Sequence, residues 1–302
     1  MKFLKRLFSI LWKMLLFSLV FIVFMILLAR YMGWAKFRKT DDEIIEYLKE
    51  KGVEDIAINL FESEEGEMCY LMTGQPNDSI DLITFVHGSP GSLDNFLTYM
   101  GDSSLLNNNA LISVDRLGLG NSQYGKSEKT LYKHGAVIKK LIKQFPARRH
   151  ILVGHSYGCS VLARMAMDYP DLVSGIILIG APLDPELEPS IWYRKIMDFP
   201  LVRIILPPSI KVSNQELMPL KQELEGIMPM WDMVKCPVVF VHGGKDTLVP
   251  VGNVDFGEKK MRNSVMMKSM VDENDNHFII WSQPRVIKEA IESVKGYWSN
   301  ME

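Results

Sequence analysis

The stretch HILVGHSYGCSVLARMA, residues 150–166, decides the fold of this chain. Its first half is an apolar run typical of a strand buried on both faces, and its second half has a helical pattern. Between the two halves, residues 154–158 fit the pattern G-x-S-x-G. In a strand–turn–helix context this pattern holds a serine hydroxyl on a sharp turn at the carboxyl edge of a sheet. The stretch therefore predicts that Ser156 is a nucleophile.

Similar apolar runs alternate with helical stretches along most of the chain. The strand-like runs are DIAINLFES, EMCYLMTG, IDLITFVHG, ALISVD, HILVGHS, SGIILIG, PVVFVHGG and SVMMKSMV. Alternation of strands and helices over this length is typical of an α/β domain with a central, mostly parallel sheet. Residues 183–234 interrupt the alternation with many prolines and methionines and without a clear strand, which predicts a helical insertion between two strands.

A serine nucleophile needs a base, and the base needs a carboxylate that orients it. In this fold class both follow the serine along the chain, in the order serine, acid, histidine. Asp246 follows the strand-like run PVVFVHGG, and His277 follows the last strand-like run. Asp184 is the second candidate for the acid. The remaining histidines have positions that favour packing or turn hydrogen bonds, and they are His87, His134, His150, His155 and His242.

The stretch TFVHGSPGS, residues 84–92, places a glycine turn directly after a buried strand. Such a turn supplies a backbone N–H that stabilises an oxyanion, together with the N–H of the residue after the nucleophile. The two predicted donors are the backbone N–H groups of Ser89 and Tyr157.

Together these motifs resemble the α/β-hydrolase superfamily, and specifically its branch with HGxPG and GHSxG signatures. HGSPGS, SVDRLGLGNS, VGHSYGCS, VHGGKDTLVP and NDNHF stand in the order of that family, over residues 54–300. The resemblance implies an eight-stranded sheet, a Ser156–His277–Asp246 triad and a cap domain at 183–234. The chain departs from the family at Leu117, where proline is common, and this change concerns a turn rather than the chemistry.

A second pattern competes with this interpretation. GNSQYGKS, residues 120–127, matches the phosphate-binding pattern G-x-x-x-x-G-K-[ST]. A phosphate loop needs its first glycine directly after a buried strand and its Lys-Ser pair at the start of a helix. Here RLGLG separates the strand from most of the match, so we interpret the match as coincidental. Ser127 is then predicted to be the N-cap of the next helix.

The first forty residues form a separate unit. From Leu7 to Ala29 the only charged residue is Lys13, and Met14–Ala29 is apolar apart from Ser18. A helix over residues 7–29 rises about 35 Å, enough to cross a bilayer core of about 30 Å. Trp12, Tyr31 and Trp34 flank the run, as in interfacial anchors. The predicted organisation is a signal-anchor at 1–39, a stalk helix at 40–53 and a hydrolase domain at 54–302. A cleaved signal peptide, cut near Gly33-Trp34-Ala35, is the alternative.

Charges and composition limit the partners. Basic residues stand on both sides of the apolar run, and the basic N-terminal region favours a single-pass protein with its domain on the outer side. The net charge of −2 does not indicate a nucleic-acid partner. The three cysteines show no metal-ligand spacing, so no metal is expected. No other cofactor is expected. No nucleotide is expected either, because the phosphate-loop match is interpreted as coincidental. The oligomeric state is left open.

The resulting hypothesis is an esterase that forms an acyl-enzyme, with a small or lipid-like acyl substrate. The insertion's methionines and the anchor favour an apolar substrate. An amidase, peptidase or lactonase of the same fold is the nearest alternative. A catalytically idle binding protein of the same fold is a further alternative, since a fold does not by itself imply activity.

Overall fold

The computed structural model of the chain describes residues 2–31 and 36–301, and their side chains over 5–28 and 36–301. Its centre is one eight-stranded sheet with the order β1-β2-β4-β3-β5-β6-β7-β8. The strands are β1 (Ile56–Ser63), β2 (Gly66–Thr73), β3 (Asp81–Val86), β4 (Asn109–Val114), β5 (Arg149–His155), β6 (Val173–Ile179), β7 (Val238–Gly243) and β8 (Met267–Asp272).

Strands β3 to β8 run parallel, and β1 and β2 pair antiparallel at one edge. The central strands β3, β4 and β7 are buried along their whole length, which agrees with their uninterrupted apolar sequences. Because helices follow most of these strands, both sheet faces are covered. The predicted α/β-hydrolase fold, with a mostly parallel eight-stranded sheet, is confirmed.

Helices pack on the two faces of the sheet and produce two separate apolar cores. The helices are α1 (Lys2–Tyr31), α2 (Asp41–Glu50), α3 (Leu97–Met100), α4 (Ser103–Leu106), α5 (Leu131–Ile142), α6 (Tyr157–Asp168), α7 (Tyr193–Met197), α8 (Pro200–Ile205), α9 (Pro208–Leu217), α10 (Leu220–Ile227), α11 (Gly252–Lys260), α12 (Ile279–Ser282) and α13 (Pro284–Ser299). Helix α6 packs beside β5 and α5, so the turn that carries Ser156 is fixed between a central strand and a buried helix.

Helix α1 contains a span, Lys5–Leu28, that is long and apolar enough to cross a membrane, with a mean hydropathy of 2.6. Membrane anchors and signal sequences both contain helices of this kind. Residues 32–35, with Trp34 and the cleavage pattern at Gly33-Trp34-Ala35, lie outside the described residues.

Helix α2 is joined to the hydrolase domain by its apolar face. Thr40 and Glu43 form a capping box at its start, and Ile44 and Leu48 are fully buried in one of the two cores. The segment before α2 is also held by the domain, because the guanidinium of Arg38 donates to the buried carboxylate of Asp115 at 2.9 Å. The segment that was predicted as a stalk therefore packs as part of the domain surface and core.

The insertion between β6 and β7 is helical. Residues 185–233 contain helices α7 to α10 and two 3-10 helices, Pro185–Leu187 and Met228–Met233. Leu220, Leu224 and Ile227 on α10 are buried in the core that also contains α6. One end of the insertion is thus firmly packed, whereas none of the residues of α7 and α8 is buried.

Candidate active site

Ser156 stands on the sharp turn between β5 and α6, as predicted. Its backbone has φ +52° and ψ −126°, a left-handed conformation that is strained for a residue with a side chain. Its N–H donates to the carbonyl of Ile179 on β6, which holds the turn at the carboxyl edge of the sheet. Gly158 is required here because a Cβ at that position would lie 2.2 Å from the carbonyl oxygen of Val86.

The structure brings Asp246 and His277 together in a direct hydrogen bond. His277 Nδ1 lies 2.6 Å from Asp246 Oδ2, and both side chains are buried. The other carboxylate oxygen accepts from the backbone N–H groups of Leu248 and Val249, at 2.8 Å each. Burial raises the pKa of Asp246, but the hydrogen bonds outweigh burial and leave the pKa below its ordinary value. An ionised Asp246 fixes His277 with its Nδ1 as the donor.

The alternative acid has a different role. The carboxylate of Asp184 accepts from the backbone N–H of Glu186 and caps the 3-10 helix at the start of the insertion. Asp246 is therefore the carboxylate that contacts the imidazole. His155, beside the nucleophile, pairs its Nε2 with the carbonyl of His277 at 3.0 Å, and burial lowers the pKa of His155 to about 3. As a neutral imidazole, His155 therefore supports the loop that carries His277.

The loop after β3 packs directly on the serine turn. A Cβ added to Gly88 would lie 2.9 Å from the Cβ of Ser156, so only glycine allows this approach. Ser89 and Tyr157 line the same cavity as Ser156. Within residues 36–301, neither the backbone N–H of Ser89 nor that of Tyr157 has a hydrogen-bond acceptor. Two adjacent unpaired donors of this kind are suited to an anionic oxygen.

A buried ion pair holds the loop after β3 in place, and the sequence did not predict this ion pair. The guanidinium of Arg116 donates to both carboxylate oxygens of Glu216 in a bidentate ion pair, at 2.7 and 2.8 Å. Both side chains have no exposed surface. The same guanidinium donates to the carbonyls of His87 and Gly88 and lies 4.5 Å from the ring centroid of Tyr157. Arg116 thus connects both predicted oxyanion donors to helix α9 of the insertion.

These groups open into one cavity of about 500 Å³. Ser156 and His277 line it, together with residues of the loop after β3. The insertion contributes further lining residues, and the loops after β7 and β8 supply most of the apolar rim. The lining residues with apolar side chains include Pro189, Ile191, Leu217, Leu248, Phe278 and Trp281.

The methionines of the insertion do not explain this apolar lining. Met197, Met218, Met228, Met230 and Met233 are all absent from the residues that line the cavity. Met228 and Met230 instead pack against the core. The apolar character of the site comes from proline, branched aliphatic and aromatic side chains, so the argument from methionine content was wrong in its detail.

The match GNSQYGKS lies in a loop that differs from a phosphate loop. Strand β4 ends at Val114, well before Gly120, and helix α5 begins only at Leu131. The predicted N-cap at Ser127 was wrong, because Thr130 accepts from the N–H of Lys133 and caps the helix. Ser127 instead donates to the side chain of Gln215 on α9.

The residues that the structure describes include no cluster of three or more His, Cys, Asp or Glu suited to a metal ion.

The sheet order, the strained serine turn and the order of the motifs define an α/β hydrolase. A family model described as alpha/beta hydrolase fold matches residues 81–203, from β3 into the insertion. The chain belongs to the α/β-hydrolase superfamily.

Comparison with known proteins agrees with this class. The chain is 31% identical to human protein ABHD8 over 244 residues, which are 70% of this chain and 54% of the human protein. It therefore spans about half of the length of that relative. It is 27% identical to a proline iminopeptidase of Lactobacillus acidophilus over 45% of this chain and 47% of the peptidase. Among solved structures, a bacterial membrane phospholipase A superposes with a TM-score of 0.62 at 16% identity, over 94% of this chain and 99% of the phospholipase.

Proposed function

We propose that the chain is a serine hydrolase that cleaves an ester through an acyl-enzyme intermediate and that α1 holds it in a membrane. The observation that carries the proposal is the pair formed by a strained Ser156 and an Asp246-oriented His277 at the wall of one apolar cavity. A serine hydroxyl becomes an effective nucleophile only when a base of this kind accepts its proton.

In the proposed reaction Ser156 Oγ attacks the acyl carbonyl and His277 Nε2 takes its proton. The N–H groups of Ser89 and Tyr157 donate to the oxyanion of the tetrahedral intermediate, which is worth roughly 3–4 kcal/mol for each donor. His277 then returns the proton to the leaving alkoxide, and Asp246 stabilises the transient imidazolium. A water molecule, deprotonated by His277, attacks the acyl-enzyme and releases the carboxylic acid.

The size and lining of the cavity support this substrate class. A volume of about 500 Å³ with mostly aliphatic and aromatic walls suits an ester with an apolar acyl chain. Amides, peptides with a free N-terminus and lactones use the same reaction steps, and one relative is a proline iminopeptidase. An ester is favoured because its alkoxide leaves more readily than an amine.

The experiment is hydrolysis of short p-nitrophenyl esters by the detergent-solubilised full chain, with a thioester, a lactone and prolyl p-nitroanilide in the same panel. Ser156→Ala is expected to lower the rate by about 10⁴-fold or more, because it removes the nucleophile. Ser79→Ala, an exposed serine in the loop before β3, is the matched control and should keep the wild-type rate. Absence of turnover of every compound by the wild type contradicts the proposal.

For α1 we propose a retained anchor, with the N-terminus inside and the hydrolase domain outside. Protease treatment of intact cells is expected to digest the domain. Protection of the domain would place it on the inner side, and loss of residues 1–35 from the mature chain would identify α1 as a signal sequence.

A further inference from the structure

Helices α7 and α8 of the insertion carry an apolar patch that the domain does not cover. Within residues 192–201, five apolar side chains are between 48% and 74% exposed. We call this set the cap patch, and its members are Trp192, Tyr193, Ile196, Phe199 and Leu201. Isolated exposed apolar residues are ordinary, but five of them within ten residues, including the aromatic rings of Trp192, Tyr193 and Phe199, mark a surface that contacts something apolar.

The cap patch lies on the side of the domain where the N-terminal helix joins it. Helix α8 lies beside α1. The chain that follows α1 is held against the domain, because Ser92 Oγ donates to the carbonyl of Phe37 and the N–H of Lys39 donates to Asp94. Helix α8, which carries Leu201 of the patch, is therefore next to the helix that we propose to cross the membrane.

Lining residues of the cavity are close in sequence both to the residues that hold the chain after α1 and to the cap patch. Pro90 and Asn95, which flank the residues that hold the chain after α1, line it. Ile191 and Arg194 line it from the end of the insertion that carries the patch. Its rim includes Leu248, Phe278 and Trp281, whose side chains are themselves exposed by about half.

We propose that the cap patch lies in the interfacial region of the leaflet next to the hydrolase domain, so that the cavity takes an amphiphilic ester directly from that leaflet. Apolar and aromatic side chains on short helices insert into the boundary between headgroups and acyl chains, and basic neighbours remain among the headgroups. The basic residues of this segment are Arg194, which lines the cavity, Lys195, and Arg203, which pairs with Asp198 at 3.5 Å. The proposal rests on the membrane anchor and the hydrolase site of the proposed function.

A second copy of the chain is the competing occupant of the patch. The lipid bilayer is favoured because α1 brings lipid to the edge of α8, so the patch meets acyl chains without any further association. The two occupants give different results in the experiment below.

The experiment uses environment-sensitive labels on single added cysteines in the full chain. The native cysteines, Cys69, Cys159 and Cys236, are all buried, so an added surface cysteine reacts selectively. Leu201→Cys reports on the cap patch, and Ile22→Cys in α1 is the positive control. Val265→Cys is the matched negative control, because this exposed residue precedes β8 at the sheet edge opposite the cavity. Each protein is reconstituted in phosphatidylcholine–phosphatidylglycerol vesicles with a doxyl group high on the lipid chain.

The label at 201 is expected to be quenched by the doxyl lipid, and the label at 265 is not. If the label at 22 is quenched and those at 201 and 265 are equally unaffected, the proposal is overturned while the anchor stands. A label at 201 that is shielded from aqueous iodide but not quenched by lipid would indicate a protein partner and would also overturn it. This readout does not depend on turnover, so it remains decisive if the hydrolase assignment fails.

An activity measurement tests the consequence for substrate entry. The double variant Trp192→Glu with Leu201→Glu places two charges on the patch, and neither substituted residue lines the cavity. Its rate on a long-chain p-nitrophenyl ester dissolved in vesicles is expected to fall about tenfold, because charged side chains leave the interfacial region. Its rate on the soluble short-chain ester is expected to match that of Val265→Glu. Equal losses on both esters would contradict entry from the leaflet.

Discussion

Asp115 and Asp246 invite comparison, because each follows a parallel strand at the carboxyl edge of the sheet and each has a fully buried side chain. Both carboxylates accept two backbone N–H groups, Asp115 from Leu93 and Asn121. They differ in their third partner. Asp246 contacts the imidazole of His277, and Asp115 contacts the guanidinium of Arg38.

The difference distinguishes the proposed catalytic pair from a structural pair. An imidazole gains and loses a proton near neutral pH, whereas a guanidinium stays charged, so only the first pair can take part in proton transfer. Burial raises the pKa of Asp115 to about 6 despite Arg38, while at Asp246 the hydrogen bonds leave the pKa lowered. Similar positions at the edge of one sheet thus orient an imidazole in one case and hold the chain that follows α1 in the other.

The largest expected effect comes from Asp246→Asn. We expect ester hydrolysis to fall about 10⁴-fold, because an amide at this position no longer holds His277 in the tautomer that accepts the serine proton. The measurement is kcat/KM, with thermal unfolding as the check on the fold. Asp184→Asn is the control, since Asp184 only caps a 3-10 helix, and it should change the rate by no more than about twofold. Similar losses in both variants would refute the assignment of the acid.

Glu216→Ala tests the buried Arg116–Glu216 ion pair, which supports the loop after β3. The variant leaves Arg116 charged and unpaired in the core, and we expect it to lose about 3–5 kcal/mol of unfolding free energy, measured by chemical denaturation. The double variant Arg116→Met with Glu216→Leu should recover most of this stability. We expect its kcat to stay about tenfold low, because the carbonyls of His87 and Gly88 have then lost their donor. A Glu216→Ala protein as stable as the wild type contradicts this account.

The pH dependence of stability distinguishes the two aspartates by sign. The pKa of Asp115 is about 6 in the folded chain against an ordinary 3.8, so the folded state binds this proton more tightly. Its contribution to the free energy of unfolding therefore falls as pH rises from about 4 to 6, by at most about 1.4 kcal/mol for each pH unit. The contribution of Asp246 has the opposite sign and is lost as pH falls below 3.8 through its lowered pKa.

Denaturation of the wild type and Asp115→Asn from pH 4 to 7 measures this effect. Groups other than Asp115 titrate alike in both proteins, so the difference between the two curves isolates it. We expect the wild type to lose stability relative to Asp115→Asn as pH rises through this window. Two parallel curves would show that the Asp115 pKa is not raised.

The smallest effect is expected at Lys126, in the apparent phosphate loop. Its side chain is exposed, and helix α5 begins well beyond it. Lys126→Ala should change the unfolding free energy by no more than about 0.5 kcal/mol and leave ester hydrolysis unchanged. Magnesium ATP should not raise the unfolding temperature of the wild type. A shift that ATP causes in the wild type and not in Lys126→Ala would restore the nucleotide hypothesis.

The sequence was sufficient for the sheet because the strands from β3 to β7 are short, mostly apolar runs with their own boundary signals, and the edge strands β1 and β8 have a more polar but still strand-like pattern. It also placed His277 correctly beside Asp246, since both follow strands that end at the same edge of the sheet. These inferences depend on local pattern and on chain order, which a single sequence records directly.

The interactions between distant segments could not be predicted in the same way. In the sequence, Arg38 is only one of the basic residues that follow the apolar run, although in the structure it pairs with the buried Asp115. Nothing near Glu216 in the sequence indicates that it meets Arg116, because that contact depends on how the insertion folds back over the sheet. The start of α5 was missed at Ser127 because Thr130 is an equally good capping residue and tertiary packing decides between them.

The central claim is that Ser156 is an activated nucleophile, and a fluorophosphonate probe tests it without knowledge of the substrate. The probe should label the wild-type full chain covalently and fail to label Ser156→Ala, and Asp246→Asn should react much more slowly. Ser79→Ala should react like the wild type. A wild-type chain that is folded and unlabelled, or a Ser156→Ala chain that is labelled as fast as the wild type, would contradict the account.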